Sequence, residues 1–486
     1  MTRSEPVASP SPGSAKLGLP LLAGIVVGSM IGGGVFNLPQ DMARGAGLAA
    51  VIIAWALTLV GMFFLTNAFR ILANERPDLK AGIYRYAQEG FGVFAGFEIA
   101  WGYWLSSAFG NVAFALLLMQ ILGHFFPVFG DGTTWPSIIG GSILIWTMHF
   151  IVLHGVKRAA GLNVFSSFVN VATIGIAIVI MTLFVTAGHF SLDVWGKQQQ
   201  LGNVFAQVKS TMLVTLWVFL GIEAAVVVSD RAREPRQVGT ATFVGLVVCA
   251  VLYFLLSVLP FGVMTQKELA RLSSPSTAYV LQALVGHWGA AFVDVSLMFS
   301  ELFCWLAWTI LVAELPYEAA KGGIFPSFLA RSNRHHAAAP ALWISSIVMQ
   351  ITMFVVLFAH DAWIWLISIT GVTSLPPYVA STAFLCLYAG KPEFRASAPR
   401  TRRMAIWTGI LSTLYALWLQ YAAGPEFLLM ATIIYALGVP VFWYARKERA
   451  PHQPAFTRIE AAAVCALLVV AAAAVILLAK GVVSVT

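Results

Sequence analysis

The stretch GSMIGGGVF, from Gly28 to Phe36, lies inside an apolar run that is long enough to cross a membrane. Its three consecutive glycines, Gly32, Gly33 and Gly34, are unfavourable in a continuous helix. In lipid, backbone polar groups that leave a helix are tolerated only where they are buried in protein or line a cavity. Close helix packing also uses small residues, but it needs them four apart rather than adjacent. We therefore predict that this helix is unwound beside a cavity.

The rest of the chain is also strongly apolar. Of its 486 residues, 59% are apolar and 10% are charged, whereas a soluble domain has about 45–50% and roughly 25%. This composition excludes an ordinary soluble enzyme and a disordered chain. A membrane-spanning helix needs about 20 mostly apolar residues. The thirteen expected spans are 18–40, 47–72, 93–126, 135–153, 160–188, 207–229, 240–264, 288–320, 340–359, 362–389, 404–422, 425–445 and 460–484.

The basic residues indicate the orientation of these spans. With the N-terminus placed in the cytoplasm, 23 of the 29 Lys and Arg residues fall in cytoplasmic segments, which is the positive-inside pattern of membrane proteins. We expect a multi-pass protein of the cytoplasmic membrane, with the C-terminus outside if there are thirteen spans. The net charge of +8 is thus explained by topology, and no nucleic-acid partner is expected. The polar residues 1–16 are expected to form a disordered cytoplasmic tail.

The cysteines do not indicate a metal site or a disulfide. All four lie in apolar runs, and the sequence has no CxxC motif or Cys/His cluster. We expect neither a metal nor a cofactor.

A second interruption is expected in the sixth span. The segment WVFLGIEAA, from Trp217 to Ala225, combines Gly221 with an intramembrane acid, Glu223. Interruptions in spans one and six place them at equivalent positions of two five-helix halves, and an odd number of helices inverts the second half. The division predicted is residues 17–188 for the first inverted repeat, 207–389 for the second, and 404–486 for additional helices. Such paired breaks indicate a transporter with its substrate site near the membrane midplane.

Seven segments spread over nearly the whole chain carry a family resemblance. They are GSMIGGGVFNLPQ from Gly28, IYRYAQEGFG from Ile83, WGYWLSSAFGNVAF from Trp101, WVFLGIEAAVVVSDRA from Trp217, VGTATFVGL from Val238, PSTAYVLQALVGHWG from Pro275 and WLAWTILVAELPYEAAKGGIFP from Trp305. Through them the chain resembles the amino-acid/polyamine/organocation transporters, and within these the basic amino acid/polyamine antiporters of the arginine–ornithine type. The resemblance implies an all-helical, leucine-transporter-like fold with two inverted repeats of five helices.

The resemblance also implies a substrate site. The backbone from Met30 to Gly34 would hold the carboxylate and α-amine of a substrate, and Gly33 stands where the related site has a serine. Trp217 and Trp308 suit a cationic side chain, because aromatic faces attract cations by about 0.5–2 kcal/mol. The implied substrate residues are Met30, Ile31, Gly32, Gly33, Gly34, Tyr103, Ser107, Asn111, Trp217, Leu220, Gly221, Glu223, Trp308 and Thr370, with Trp217 and Tyr378 as gates.

Three acids within the spans are candidates for coupling. Glu223 has no Lys or Arg nearby in its span, and an acid at this depth is a functional hypothesis by default. In the eighth span Asp294, Glu301 and Trp308 are seven apart and share a helical face, whereas relatives mostly have apolar residues at the two acidic positions. For Asp294 two interpretations stay open, a position near the outer surface without a role and a role in function. Glu301 is expected either to pair with a polar residue or to add negative charge to the outer vestibule, which would favour cationic substrates.

The function expected is exchange of a cationic amino acid, such as arginine, ornithine or lysine, for a related amino acid or amine by alternating access. Many relatives have a lysine in the fifth span that can carry a proton, whereas Asn170 occupies the nearest position here, which favours exchange. A proton-coupled importer and a diamine or polyamine antiporter remain alternatives. An intramembrane enzyme is less consistent with the sequence, because no convergent catalytic motif is present. The partners expected are the substrates and the bilayer, and the resemblance suggests a homodimer.

Overall fold

The computed structural model describes residues 18–76, 78–79, 83–155, 159–190, 193–222, 235–359, 361–394 and 399–480, so the predicted tail and Glu223 lie outside the described residues. Within these ranges the regular elements are α-helices and short 3₁₀ turns. The α-helices are α1 (Leu19–Met30), α2 (Leu38–Ala43), α3 (Leu48–Glu75), α4 (Ile83–Phe91), α5 (Val93–Phe125), α6 (Trp135–Leu153), α7 (Ala159–Phe184), α8 (Ala187–Phe190), α9 (Val204–Trp217), α10 (Pro235–Val258), α11 (Gln266–Ala270), α12 (Ser276–Val285), α13 (His287–Lys321), α14 (Ala339–Val355), α15 (Ala362–Gly390), α16 (Pro399–Ala422), α17 (Pro425–Ala436), α18 (Gly438–Arg449) and α19 (Arg458–Ala479).

Most of the expected spans coincide with helices suited to a bilayer. Ten helical segments of the described chain are long and apolar enough to cross a membrane, and one bent pair, Leu22–Met30 with Gly33–Ala43, adds an eleventh. The sixth expected span is described only as far as Ile222. The eleventh coincides with α16, which is less apolar than those ten. The count of thirteen therefore stays a prediction.

Several helices begin where the sequence provides a cap. The Thr134 side chain accepts a hydrogen bond from the Ser137 amide at the start of α6. At the start of α19, Thr457 and Glu460 each accept from the other's backbone amide in a capping box. These bonds satisfy amides that have no partner within the helix, and each cap contributes about 1 kcal/mol.

The burial pattern separates central helices from peripheral ones. In α5 and α15, 72% of the most apolar stretch is buried inside the protein, against 17% in α19. The exposed side chains of α19 are nevertheless apolar, with Ile459 84% and Val469 68% exposed. Large apolar side chains around the outside of a bundle are suited to contact with lipid. The helices α5 and α15 therefore form the centre, and any site between them is shielded from lipid.

Candidate functional site

The first helix is interrupted at the glycine run. Helix α1 ends at Met30, Gly32 is fully extended, and a 3₁₀ turn over Gly33–Asn37 leads into α2. The two helical parts meet at an angle of 51°. The Asn170 side chain of α7 donates to the Ile31 carbonyl over 3.1 Å, which satisfies one of the backbone groups that the break releases. The predicted break in the first span is confirmed.

The second interruption lies beside the first. Helix α9 ends at Trp217, and Gly221 has a φ of 99°, a left-handed conformation that favours glycine. The Ser29 hydroxyl donates to the Gly221 carbonyl over 2.8 Å. A Cβ atom at Gly221 would lie 2.5 Å from the Ser29 carbonyl oxygen. The two breaks are therefore in direct contact, although the continuation beyond Ile222 lies outside the described residues.

A cavity opens where these breaks meet α5, α13 and α15. The residues lining it are Ser29, Met30, Gly32, Gly34, Val35, Tyr103, Ser106, Ser107, Gly110, Phe114, Trp217, Val218, Leu220, Trp308, Thr370 and Ser374. The lining combines aromatic rings, hydroxyl groups and helix-free backbone. No Lys, Arg, Asp or Glu is among these described residues. Such a site binds charged groups through ring faces and backbone dipoles rather than through ion pairs.

Nine of the residues expected from the sequence line this cavity. They are Met30, Gly32, Gly34, Tyr103, Ser107, Trp217, Leu220, Trp308 and Thr370. Six others lie elsewhere, namely Ile31, Gly33, Asn111, Gly221, Glu301 and Tyr378, and the structure does not describe Glu223. Of these six, Ile31 and Gly33 belong to the break itself. Tyr378 is buried against Phe69 of α3, with ring centroids 5.8 Å apart.

Asn111 lies behind the lining and positions it. The side chain is fully buried, donates to the Ser107 carbonyl over 2.7 Å and approaches the Trp308 carbonyl at 3.5 Å. The Thr309 hydroxyl donates to its oxygen over 3.3 Å. Asn111 thus connects α5 to α13 at the level of Trp308, as a positioning residue rather than a lining one.

The sequence interpretation missed several lining residues on α5. Ser106, Gly110 and Phe114 follow Tyr103 at helical spacing, so the periodicity of one helix face could have revealed them. Ser106 donates to the Thr370 carbonyl over 2.9 Å and holds α5 against α15. The buried Thr370 hydroxyl has no hydrogen-bond partner among the described residues, which leaves it available to a ligand.

A second tryptophan, which packs on Trp217, was also missed. Trp363 packs edge-to-face on Trp217 with centroids 6.3 Å apart, and its indole nitrogen donates to Asp41 over 2.9 Å. Nearby, Arg44 pairs with Asp361 and connects the end of α2 to the start of α15. Trp363, Arg44 and Asp361 line a second cleft, and Trp363 connects it to Trp217 on the cavity wall. The Trp363–Asp41 and Arg44–Asp361 pairs each join residues more than 300 apart along the chain, so no local motif reveals them.

Two acids of α13, Asp294 and Glu301, have no exposed surface. Asp294 lies two turns from the start of α13 and pairs with His124, at the end of α5, over 2.6 Å. Glu301 neither pairs with a polar side chain within the described residues nor lines the cavity.

The fold and this cavity define a class of protein. A bundle of membrane-spanning helices with two adjacent helix breaks around a central cavity is the architecture of a membrane transporter. Residues 17–445 match the family described as amino acid permease. The chain belongs to this family, which confirms the fold class and the superfamily predicted from the sequence. It is a multi-pass membrane protein.

Individual relatives are similar over nearly their whole length. The chain is 46% identical over 455 residues to the arginine/agmatine antiporter of Chlamydia felis, covering 92% of this chain and 94% of that protein. It is 47% identical over 453 residues to the arginine/agmatine antiporter of Chlamydia pneumoniae, covering 92% and 93%. It is 44% identical over 454 residues to a putative amino-acid transporter of Clostridium perfringens, covering 92% and 94%.

Proposed function

We propose that this permease exchanges a cationic amino acid for a related amino acid or amine by alternating access. The observation that carries the proposal is the cavity at the two helix breaks, which offers backbone amides, carbonyls and tryptophan faces without a lining cation. The names of its relatives, arginine/agmatine antiporters at 46–47% identity, favour arginine-like substrates.

Each end of such a substrate has a complementary part of the cavity. Free amides at the start of the 3₁₀ turn after Gly32 would bind a carboxylate, aided by the local dipole. Backbone carbonyls at the breaks, each of which can accept a second hydrogen bond, would bind the α-ammonium group. Trp308 and Trp217 would contact the cationic side chain through their ring faces. The Thr370 hydroxyl would supply a hydrogen bond.

Closure on the two sides is proposed from the surrounding contacts. Trp217 with Trp363, and Arg44 with Asp361, would form the outer closure, because Trp363, which packs on the cavity residue Trp217, lines a second cleft together with Arg44 and Asp361. Tyr378, buried against α3, would belong to the inner closure. Glu223, whose placement is not described, is proposed as the acid that tunes the exchange.

The wider organisation is part of the proposal. The N-terminus would be cytoplasmic, with repeats at 17–188 and 207–389 and additional helices at 404–486, as the charge pattern and the family fold suggest. A homodimer is proposed from the family resemblance alone.

Exchange is favoured over a proton-coupled importer by one residue of α7. Asn170 is fully buried, donates to Ile31 and accepts a bond from Ser300. An amide at this position cannot carry a proton as a lysine can. Proton-driven net uptake would therefore need another group.

Counterflow in proteoliposomes tests the exchange. Vesicles are loaded with one compound at a time: arginine, ornithine, lysine, histidine, agmatine, putrescine or cadaverine. Entry of labelled arginine then identifies the internal compound as a counter-substrate. Empty vesicles with an imposed pH gradient are the control. Uptake into these empty vesicles would establish the importer instead.

A further inference from the structure

Glu301 is a buried acid that the proposed binding site does not use. Its side chain has no exposed surface, and its carboxylate has no side-chain partner among the described residues, only the Gly33 backbone beside it. A carboxylate at this depth is unfavourable unless it is neutral, paired or engaged by a ligand. A function for Glu301 would explain why an acid is kept at this buried position.

The carboxylate lies directly behind the break in the first helix. A Cβ atom at Gly33 would lie 2.5 Å from the Glu301 Oε2 atom. Gly32 and Gly34, on either side of Gly33, line the cavity. Because consecutive Cα atoms are about 3.8 Å apart, a ligand on this backbone would be only a few ångströms from the acid.

Neighbouring side chains hold this arrangement in place. The Ser300 hydroxyl donates to the Asn170 side-chain oxygen over 2.6 Å, and Asn170 donates to the Ile31 carbonyl over 3.1 Å. The Ser166 hydroxyl donates to the Ser300 carbonyl over 2.6 Å. These bonds join α13, α7 and the break of α1. Glu301 is consequently held against Gly33 by the packing of three elements.

No cation neutralises Glu301 within the described part of the chain. On its own helix the nearby titratable group is the Cys304 thiol, and Asp294, two turns away, is paired with His124 of α5. The break presents the Gly33 backbone and α5 presents Leu117 beside it. Helix α7 contributes only the neutral Asn170 and Ser166.

Gly33 and Glu301 lie where the related site has a serine hydroxyl group. In the resemblance Gly33 replaces a serine and Glu301 replaces an apolar residue. A serine Cβ atom could not fit between the Gly33 backbone and the Glu301 carboxylate without a shift. The glycine at position 33 thus leaves room for the Glu301 carboxylate beside the break.

We infer that Glu301 distinguishes substrates with a carboxylate from those without one, an inference that rests on the proposed exchange. Glu301 carries a proton when the amino acid is bound and releases it when the amine is bound. Two carboxylates this close cannot both be ionised. The proton comes from water on the side where the amino acid enters, resides on the Glu301 carboxyl group, and returns to water where the amino acid leaves. A dication such as agmatine binds with Glu301 ionised.

The charge balance of exchange follows from this. Arginine carries one net positive charge, and its proton on Glu301 makes two, which equals the charge of agmatine moving the other way. Arginine–agmatine exchange is then electroneutral. Without the proton, the same exchange would move one net charge per cycle and would respond to the membrane potential.

The test compares wild type, Glu301→Gln and Glu318→Gln in sodium-free proteoliposomes whose potential is clamped with potassium and valinomycin. Glu318 is a matched control on the same helix, where it binds the exposed Lys321. Arginine uptake into agmatine-loaded vesicles should be independent of potential for wild type and Glu318→Gln. For Glu301→Gln, arginine uptake should increase at inside-positive potential. The ratio of the affinity for arginine to the affinity for agmatine should rise about tenfold. Arginine–arginine exchange confirms that each variant is folded.

A second set of variants guards against loss of fold in Glu301→Gln. Gly33→Ser alone should reduce exchange, because its Cβ atom meets both the Glu301 carboxylate and a Leu117 methyl group. In Gly33→Ser with Glu301→Ala only the flexible Leu117 side chain has to move, and exchange should return in a potential-dependent form. Potential-dependent exchange by the wild type would overturn the inference. So would a sodium requirement that disappears in Glu301→Gln, since the acid would then hold sodium. If the wild type exchanges no cationic substrate under any condition, the proposed function itself fails.

Discussion

At the residue scale, Trp308 contacts Cys304 on its own helix and Asn111 on α5. Its ring lines the cavity, and its carbonyl lies 3.5 Å from the Asn111 amide that connects α5 and α13. Sixteen tryptophans occur in the chain, and most such residues in membrane proteins are interfacial anchors. Its place on the cavity wall beside the two helix breaks, which it shares with Trp217, distinguishes it from such anchors.

Replacement of Trp308 by alanine should raise the KM for arginine about tenfold, because a desolvated cation–π contact contributes up to about 2 kcal/mol. Trp308→Phe should retain part of the affinity. Trp288, on the same helix and 59% exposed, is the control, and Trp288→Ala should leave the KM unchanged. Initial exchange rates in proteoliposomes give these values. Equal KM changes in both alanine variants would show that Trp308 has no special role.

At the element scale, the two broken helices support each other. The Ser29 hydroxyl bonds the Gly221 carbonyl, so the exposed backbone of one break satisfies part of the other. The glycine run predicted the first break because adjacent glycines are unfavourable in a helix. The bond between the breaks joins residues 192 apart along the chain, and no sequence pattern encodes such a pairing.

Gly221→Ala should abolish most exchange and destabilise the protein by more than about 1 kcal/mol, because a side chain is strained at this positive φ. Its Cβ atom would also lie 2.5 Å from the Ser29 carbonyl oxygen. Gly175 of α7 is the matched control, since a Cβ atom there meets nothing within 4 Å. Gly175→Ala should keep full exchange, and thermal unfolding in detergent reports the stability of both. A fully active, stable Gly221→Ala would contradict the proposed geometry of the break.

At the scale of the whole molecule, basic residues are distributed unevenly across the membrane, whereas buried polar residues are distributed unevenly between the centre and the outside of the bundle. In the predicted topology, 23 of the 29 basic residues lie in cytoplasmic segments. Buried polar side chains instead lie on the helices that surround the cavity, for example Asn111 of α5, Asn170 of α7 and Thr370 of α15. The first pattern orients the protein, and the second positions a polar cavity inside it.

The orientation can be tested at two exposed loop positions. Asp131 lies between α5 and α6 on the predicted outer side, and His335 lies between α13 and α14 on the cytoplasmic side. In intact cells an impermeant maleimide should label Asp131→Cys, whereas His335→Cys should react only after the membrane is opened. The parent chain, whose cysteines lie in apolar helices, is the control. Labelling with the opposite sidedness would overturn the predicted topology.

The sequence by itself determined the class of protein, the approximate spans, the break at Gly32–Gly34 and most of the cavity lining. These features depend on composition, on local backbone preference and on motifs that are contiguous in the chain. Only the tertiary structure decided that Trp363 covers Trp217, that Asp294 pairs with His124 and that Glu301 lies against Gly33. Those contacts join residues distant in sequence, so they exist only once the helices pack and the close packing of the interior fixes which side chains meet.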